Sequence, residues 1–140
     1  MSERATPEPS GGDAIRDWIT RDPYGRWLGI ELLDLGPGHC RAALQLRPEM
    51  LNFQGSPHGS VMFSLADYAF AGACNGAGEA AVALSVTIQF LAAPRPGARL
   101  VAEARAERQG RRAGFYAMTV TADDGTTVAS CRAVSLRRPI

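Results

Sequence analysis

One carboxylate stands alone in an apolar run. Between Val61 and Cys74 the only charged residue is Asp67. A helix that is apolar on nearly all sides belongs in a protein interior, where a carboxylate is costly unless it is satisfied or put to use. Directly before the run stands Asn52-Phe53-Gln54-Gly55-Ser56-Pro57-His58-Gly59-Ser60, a turn rich in helix-opening residues. A glycine-bearing turn that opens a helix presents free backbone N–H groups and the positive end of the helix dipole. An acid and an anion-stabilising helix start within one segment are parts of a hydrolytic site. The competing reading of Asp67 is a buried carboxylate satisfied by backbone groups. Ser64 has no histidine at triad spacing, which disfavours a serine nucleophile.

Spacing adds a constraint. Gly59 and Asp67 are eight positions apart, about 12 Å along a helix that rises ~1.5 Å per residue. Reacting atoms must approach to about 3–3.5 Å. One helix therefore does not bring its own glycine and its own aspartate to the same carbonyl. Two antiparallel copies across a two-fold axis would do so, forming two equal sites.

The elements that must position these residues can be read from periodicity. Residues 1–12 read as a disordered leader and residues 13–140 as one domain. Asp13 to Thr20 reads as a short helix capped by Asp13, and Asp22-Pro23-Tyr24-Gly25 as a turn. Leu28–Leu35 and Cys40–Leu46 read as two strands of a hairpin broken at Gly36-Pro37-Gly38. After the apolar helix, Gly76-Ala77-Gly78 ends it, and the period changes to two. Val82, Leu84, Val86, Ile88 and Phe90 then alternate with smaller or polar residues, as one apolar strand face. Three further strands, 98–108, 115–122 and 127–136, are joined by the turns Gln109–Arg112 and Asp123-Asp124-Gly125. The sheet should be largely antiparallel, with one face covering the helix, which makes the class α+β.

Composition narrows the function. The chain has 140 residues, enough for one domain with a real core. Its net charge of +1 gives no case for nucleic acid or an anionic membrane as partner. All 15 basic residues are arginine, which excludes a Schiff-base or Walker lysine. The three cysteines are far apart and odd in number, and read as small buried hydrophobes in a reducing compartment. Two histidines, His39 and His58, do not make a multi-histidine metal site. The N-terminus lacks the apolar core of a signal peptide, and the Val61–Cys74 run is too short to span a bilayer. The expected location is the cytoplasm.

The string Asn52-Phe53-x-Gly55-x-x-His58-Gly59-x-x-x-Phe63-x-Leu65-Ala66-Asp67, followed by Ala81 to Leu91, resembles the PaaI-like family of hotdog-fold acyl-CoA thioesterases. This family includes phenylacetate-degradation thioesterases and is related to 4-hydroxybenzoyl-CoA thioesterase. The resemblance runs from about residue 22 to 138. It implies a hotdog fold, an antiparallel sheet wrapped around one long central helix. It also implies hydrolysis of an acyl-CoA, with aryl-acyl groups such as phenylacetyl or its hydroxylated derivatives foremost. Neither a metal nor an organic cofactor is implied; coenzyme A is part of the substrate. The implied assembly is a homodimer unit paired into a homotetramer, with the strand Val82–Phe90 extending the sheet across the dimer.

The resemblance also assigns roles. Asp67 matches the catalytic carboxylate, as base on a water or as nucleophile forming a mixed anhydride. Gly59 matches the residue whose N–H polarises the carbonyl. Asn52 matches a loop amide that positions carbonyl or water, and otherwise is a turn former. His58 matches a residue that supports the loop. Ser60 departs from the family's usual glycine; a serine there is a good helix cap and would narrow the pocket mouth. Arg111 and Arg112 are either solvated turn charges or contacts for a coenzyme A phosphate. Two other functions share the fold, a hydratase or dehydratase and a non-catalytic acyl-CoA-binding protein. The first would show a histidine paired with the acid, and the second would normally carry a DNA-binding segment.

Overall fold

The computed structural model describes residues 11–138. The leader expected over residues 1–12 lies outside the described residues except at its end, where Gly12 already opens helix α1 (Gly12–Thr20). Gly11 is its N-cap and no side chain caps it, so Asp13 is a first-turn acid rather than the expected cap. The turn expected at Asp22–Gly25 extends into a short helix, α2 (Pro23–Leu28). Its ends explain this. The Asp22 carboxylate accepts from the Gly25 N–H at 2.8 Å, proline takes the first turn, and Gly29 closes the helix at φ 83°. The first strand consequently starts at residue 31 rather than 28.

The strands are β1 (Glu31–Gly36), β2 (His39–Gln45), β3 (Ala81–Phe90), β4 (Arg99–Gln109), β5 (Ala113–Ala122) and β6 (Thr127–Arg137). They form one antiparallel sheet in the order β1-β2-β4-β5-β6-β3. The long helix α3 (Gly59–Asn75) packs against all six strands, which is the hotdog arrangement. Alternation sets the inner face. On β4, Leu100, Ala102 and Ala104 are buried, and on β5 so are Tyr116, Met118 and Val120. Phe70 of α3 meets Tyr116 edge-on, with ring centroids 5.4 Å apart. Small residues bring the helix close to the sheet: a Cβ on Gly72 would lie 2.5 Å from Cys40 Sγ.

Strand β3 departs from expectation. It is an edge strand, and its pairing with β6 slips between Ala83 and Ser85, which makes Leu84 a bulge. Val86, Ile88 and Phe90 pair with the buried residues Ala133, Cys131 and Ala129 and face the helix. Val82, before the bulge, pairs with Leu136 on the other face. The single apolar face read from the sequence is thus split in two. Among the described residues no helix is long and apolar enough to cross a membrane.

Candidate active site

Every third or fourth residue of α3 shares one stripe, and Ser64, Asp67, Tyr68 and Ala71 share the stripe that the sheet leaves uncovered. The N-terminal segment lies over it. Between the two is a cavity of about 290 Å³, whose walls from that segment include Trp18, Asp22, Tyr24 and Ile30. Asp67 opens into this cavity half-buried. Among the described residues none donates a hydrogen bond to its carboxylate or pairs with it. The reading of Asp67 as a carboxylate satisfied by backbone groups therefore fails. Burial raises its pKa above the ordinary aspartate range, and the negative charge of Asp22 raises it further. A carboxylate that is unpaired, poorly solvated and accessible is equipped to take a proton or to attack an electrophile.

The thiols are not competitors. Burial pushes Cys40 and Cys74 up to about 12 and Cys131 to about 11, so none is a thiolate at neutral pH. Among the described residues no group of three or more His, Cys, Asp or Glu side chains is placed to hold a metal ion.

The turn before α3 is built by side chains. Asn52 Oδ1 accepts from the N–H of Gln54 at 2.9 Å and of Ser56 at 3.1 Å, while Gly55 bends back at φ 81°. The Asn52 oxygen is thus spent on the turn. His58, not Ser60, is the N-cap of α3: its Nδ1 accepts from the Ser60 N–H at 3.2 Å and lies 2.7 Å from Ser60 Oγ. A backbone N–H can only donate, so Nδ1 is the acceptor and the neutral ring carries its proton on Nε2. Ser60 follows the cap, and its carbonyl accepts from Ser64 Oγ at 2.8 Å. Ser64 in turn stands 2.9 Å from Tyr24 Oη, which ties α2 to α3 beside Asp67.

Gly59 begins α3, and its N–H has no acceptor among the described residues. It does not line the Asp67 cavity. Instead the Phe90 ring lies over it, 3.3 Å from where a Cβ would stand. Within one chain Gly59 and Asp67 are therefore not brought together. Arg111 and Arg112 are both exposed, at the β4–β5 turn. Arg112 lines a separate, small cavity with Gln109, Tyr116 and Ser135. Ser60, like the two arginines, is not a wall of the Asp67 cavity.

Asp67 is the one wall that was among the expected site residues; the walls that were not include Trp18, Asp22, Tyr24 and Ser64. The i, i+4 step from Ser60 to Ser64 and on to Tyr68 was the available signal for the last. Trp27 lies just outside the cavity, 74% exposed, with its ring centroid 6.0 Å from that of Tyr24.

A family model for the thioesterase superfamily matches residues 54–129. The acyl-coenzyme A thioesterase PaaI of Escherichia coli K12 is 39% identical over 116 residues, which span 83% of this chain and 83% of that one. The solved structure of E. coli PaaI, from the phenylacetic acid degradation operon, superposes with a TM-score of 0.85 at 36% identity, covering 89% of this chain and 90% of that one. A mutant of the phenylacetic acid degradation protein PaaI from Thermus thermophilus superposes with a TM-score of 0.80 at 35% identity, covering 84% of this chain and all of that one (100%).

Proposed function

The chain belongs to the PaaI-like branch of the thioesterase superfamily, and from that membership we propose that it hydrolyses acyl-coenzyme A thioesters to the free acid and coenzyme A. One observation of the site carries this reading: the unpaired carboxylate of Asp67 opens on an apolar cavity beside the central helix.

Water adds its oxygen to the thioester carbon, the C–S bond breaks, and the thiolate takes a proton. Asp67 serves this in one of two ways. As base, it takes the proton of the attacking water; as nucleophile, it forms a mixed anhydride that water then opens. The carbonyl oxygen becomes an oxyanion in either route, and the Gly59 N–H at the positive end of α3 is a fixed donor for it. His58 holds that helix end, while Asn52 shapes the turn. The steps call on no metal and no organic cofactor.

Gly59 and Asp67 lie on different parts of one helix, so the working site combines Gly59 of one chain with Asp67 of a second. The support is in the edge strand. Leu84 is 62% exposed, Val82, Phe90 and Leu91 also stand open to solvent, and Phe90 lies against Gly59. An unpaired edge carrying exposed apolar residues fits a second copy of the same edge. The dimers are expected to pair into a tetramer.

The aromatic walls Trp18, Tyr24 and Tyr68 suit a flat aryl-acyl group, and the operon of the E. coli relative concerns phenylacetic acid. Phenylacetyl-CoA and its hydroxylated derivatives are therefore the first substrates to test. Free-thiol release should be followed across aryl-acyl and fatty-acyl-CoA esters. Turnover highest on aryl-acyl esters is the expected result. Absence of thiol release from every ester would overturn the proposal.

A further inference from the structure

The cavity beside Asp67 holds a second carboxylate, and neither carboxylate has a cation in the lining. Asp22 belongs to the loop between α1 and α2, Asp67 to α3, and both face the same space. The other walls are apolar or neutral: Trp18, Ile19 and Ile30 on one side, Tyr68 and Ala71 on the other. None of the arginines of the covering segment, Arg16, Arg21 and Arg26, is a wall of the cavity; Arg21 is exposed, and the other two are bonded elsewhere. Arg16 donates to the Leu32 carbonyl at 2.8 Å, and Arg26 donates to the Thr20 carbonyl at 2.8 Å. Asp22 cannot swing away freely, because its Oδ2 caps α2 through the Gly25 N–H. Nor can that cap shift inward, since a Cβ on Gly25 would already lie 2.6 Å from Tyr68 Cε2. The charge of Asp22 is thus fixed on the wall, and Asp67 feels it.

We propose that Asp22 is a specificity-determining residue, a charge filter that makes the cavity reject acyl groups ending in a carboxylate while admitting neutral ones of the same length. The inference rests on the thioesterase reading and on this cavity as the acyl site. An acyl carboxylate would enter a space of about 290 Å³ that already holds two negative groups and offers no counter-charge. Asp22 is exposed and Asp67 half-buried, and like charges brought together at short range beside a half-buried group repel. Burial alone also disfavours an anionic acyl group, so the filter is the part of the discrimination that depends on Asp22.

A matched pair of esters isolates that part. Glutaryl-CoA and pentanoyl-CoA have acyl chains of equal length that end in a carboxylate and a methyl group. The measured quantity is the ratio of their kcat/KM values, pentanoyl over glutaryl, for the full chain and for Asp22→Asn. Asparagine retains a capping oxygen and removes the charge. The parent should prefer pentanoyl-CoA by well over ~10-fold, and Asp22→Asn should reduce that ratio by at least about 5-fold, as expected when a juxtaposed like charge is removed. Raising ionic strength should narrow the parent's ratio more than the variant's. Asp22→Ser, a second capping residue without charge, should behave as Asp22→Asn does. A ratio near one in the parent, or a large ratio unchanged in both variants, overturns the filter and leaves the thioesterase reading intact. Failure of the parent to release thiol from any acyl-CoA overturns the thioesterase reading, and the filter with it.

Discussion

Asp67 shows how a residue can be costly to the fold and still be retained. Its carboxylate is half-buried and unpaired, and burial raises its pKa. Asp67→Asn should retain the fold and lower thioester hydrolysis by at least ~10²-fold, as removal of a base or nucleophile commonly does. Turnover within a few-fold of the parent would remove Asp67 from the mechanism. The raised pKa also makes a thermodynamic prediction. The folded state holds the proton of Asp67 more tightly than the unfolded chain does. The favourable contribution of the protonated form is present at low pH and is lost as pH rises through the raised folded value. Asp67→Asn should therefore melt at a higher temperature than the parent at neutral pH, and the gap should close as pH falls into the ordinary carboxylate range. Thermal melts across pH measure this. Asp67 was legible in the sequence because nothing else in its run is charged. Asp22 was not, because an acid before a proline is the usual mark of a turn, and only the fold aims it into the cavity.

Elements differ in how plainly the sequence announces them. Helix α3 and the six strands are readable from period, since burial of one face demands it. Three features were not. Helix α2 is six residues long, too short for a period, and exists through its Asp22 cap and Gly29 stop. The Leu84 bulge leaves no compositional trace, yet it moves Val82 to the opposite face from Val86. The α3 cap fell to His58 because Nδ1 lies where a serine oxygen would otherwise accept. The contact between α2 and α3 is testable at Gly25. A Cβ there would meet Tyr68 Cε2 at 2.6 Å and Asp22 Oδ2 at 2.9 Å, two groups that line the cavity. Gly25→Ala should cost about 1–3 kcal/mol of stability, the range of an overpacked contact. It should also raise KM for the acyl-CoA more than it lowers kcat, since it displaces walls rather than Asp67. Urea unfolding and steady-state kinetics check the two halves. By contrast, Gly12→Ala meets nothing within 4 Å and should leave both unchanged.

At the scale of the molecule, the single chain separates the two ends of the proposed chemistry. Gly59 lies under Phe90 at one end of α3, and Asp67 faces the N-terminal segment further along it. A dimer joined along β3 would complete both sites at once. Subunit mixing tests this directly. Asp67→Asn chains combined with an inactive Gly59 variant should recover about one working site per mixed dimer. Mixed dimers of verified composition that stay inactive would mean that each chain works alone. Leu84→Arg should shift the sedimenting species toward monomer and lose activity in step, because a charge would stand at the centre of the joined edges. The two tryptophans lie in contrasting places on the same fold. Trp18 is a wall of the cavity, and Trp27 projects into solvent just outside it. The protein therefore contains its own optical pair: an acyl ligand that fills the cavity displaces water from Trp18 and shifts its emission to the blue, while iodide continues to quench Trp27. With Trp27→Phe the remaining fluorescence reports occupancy of the acyl site alone, without any label.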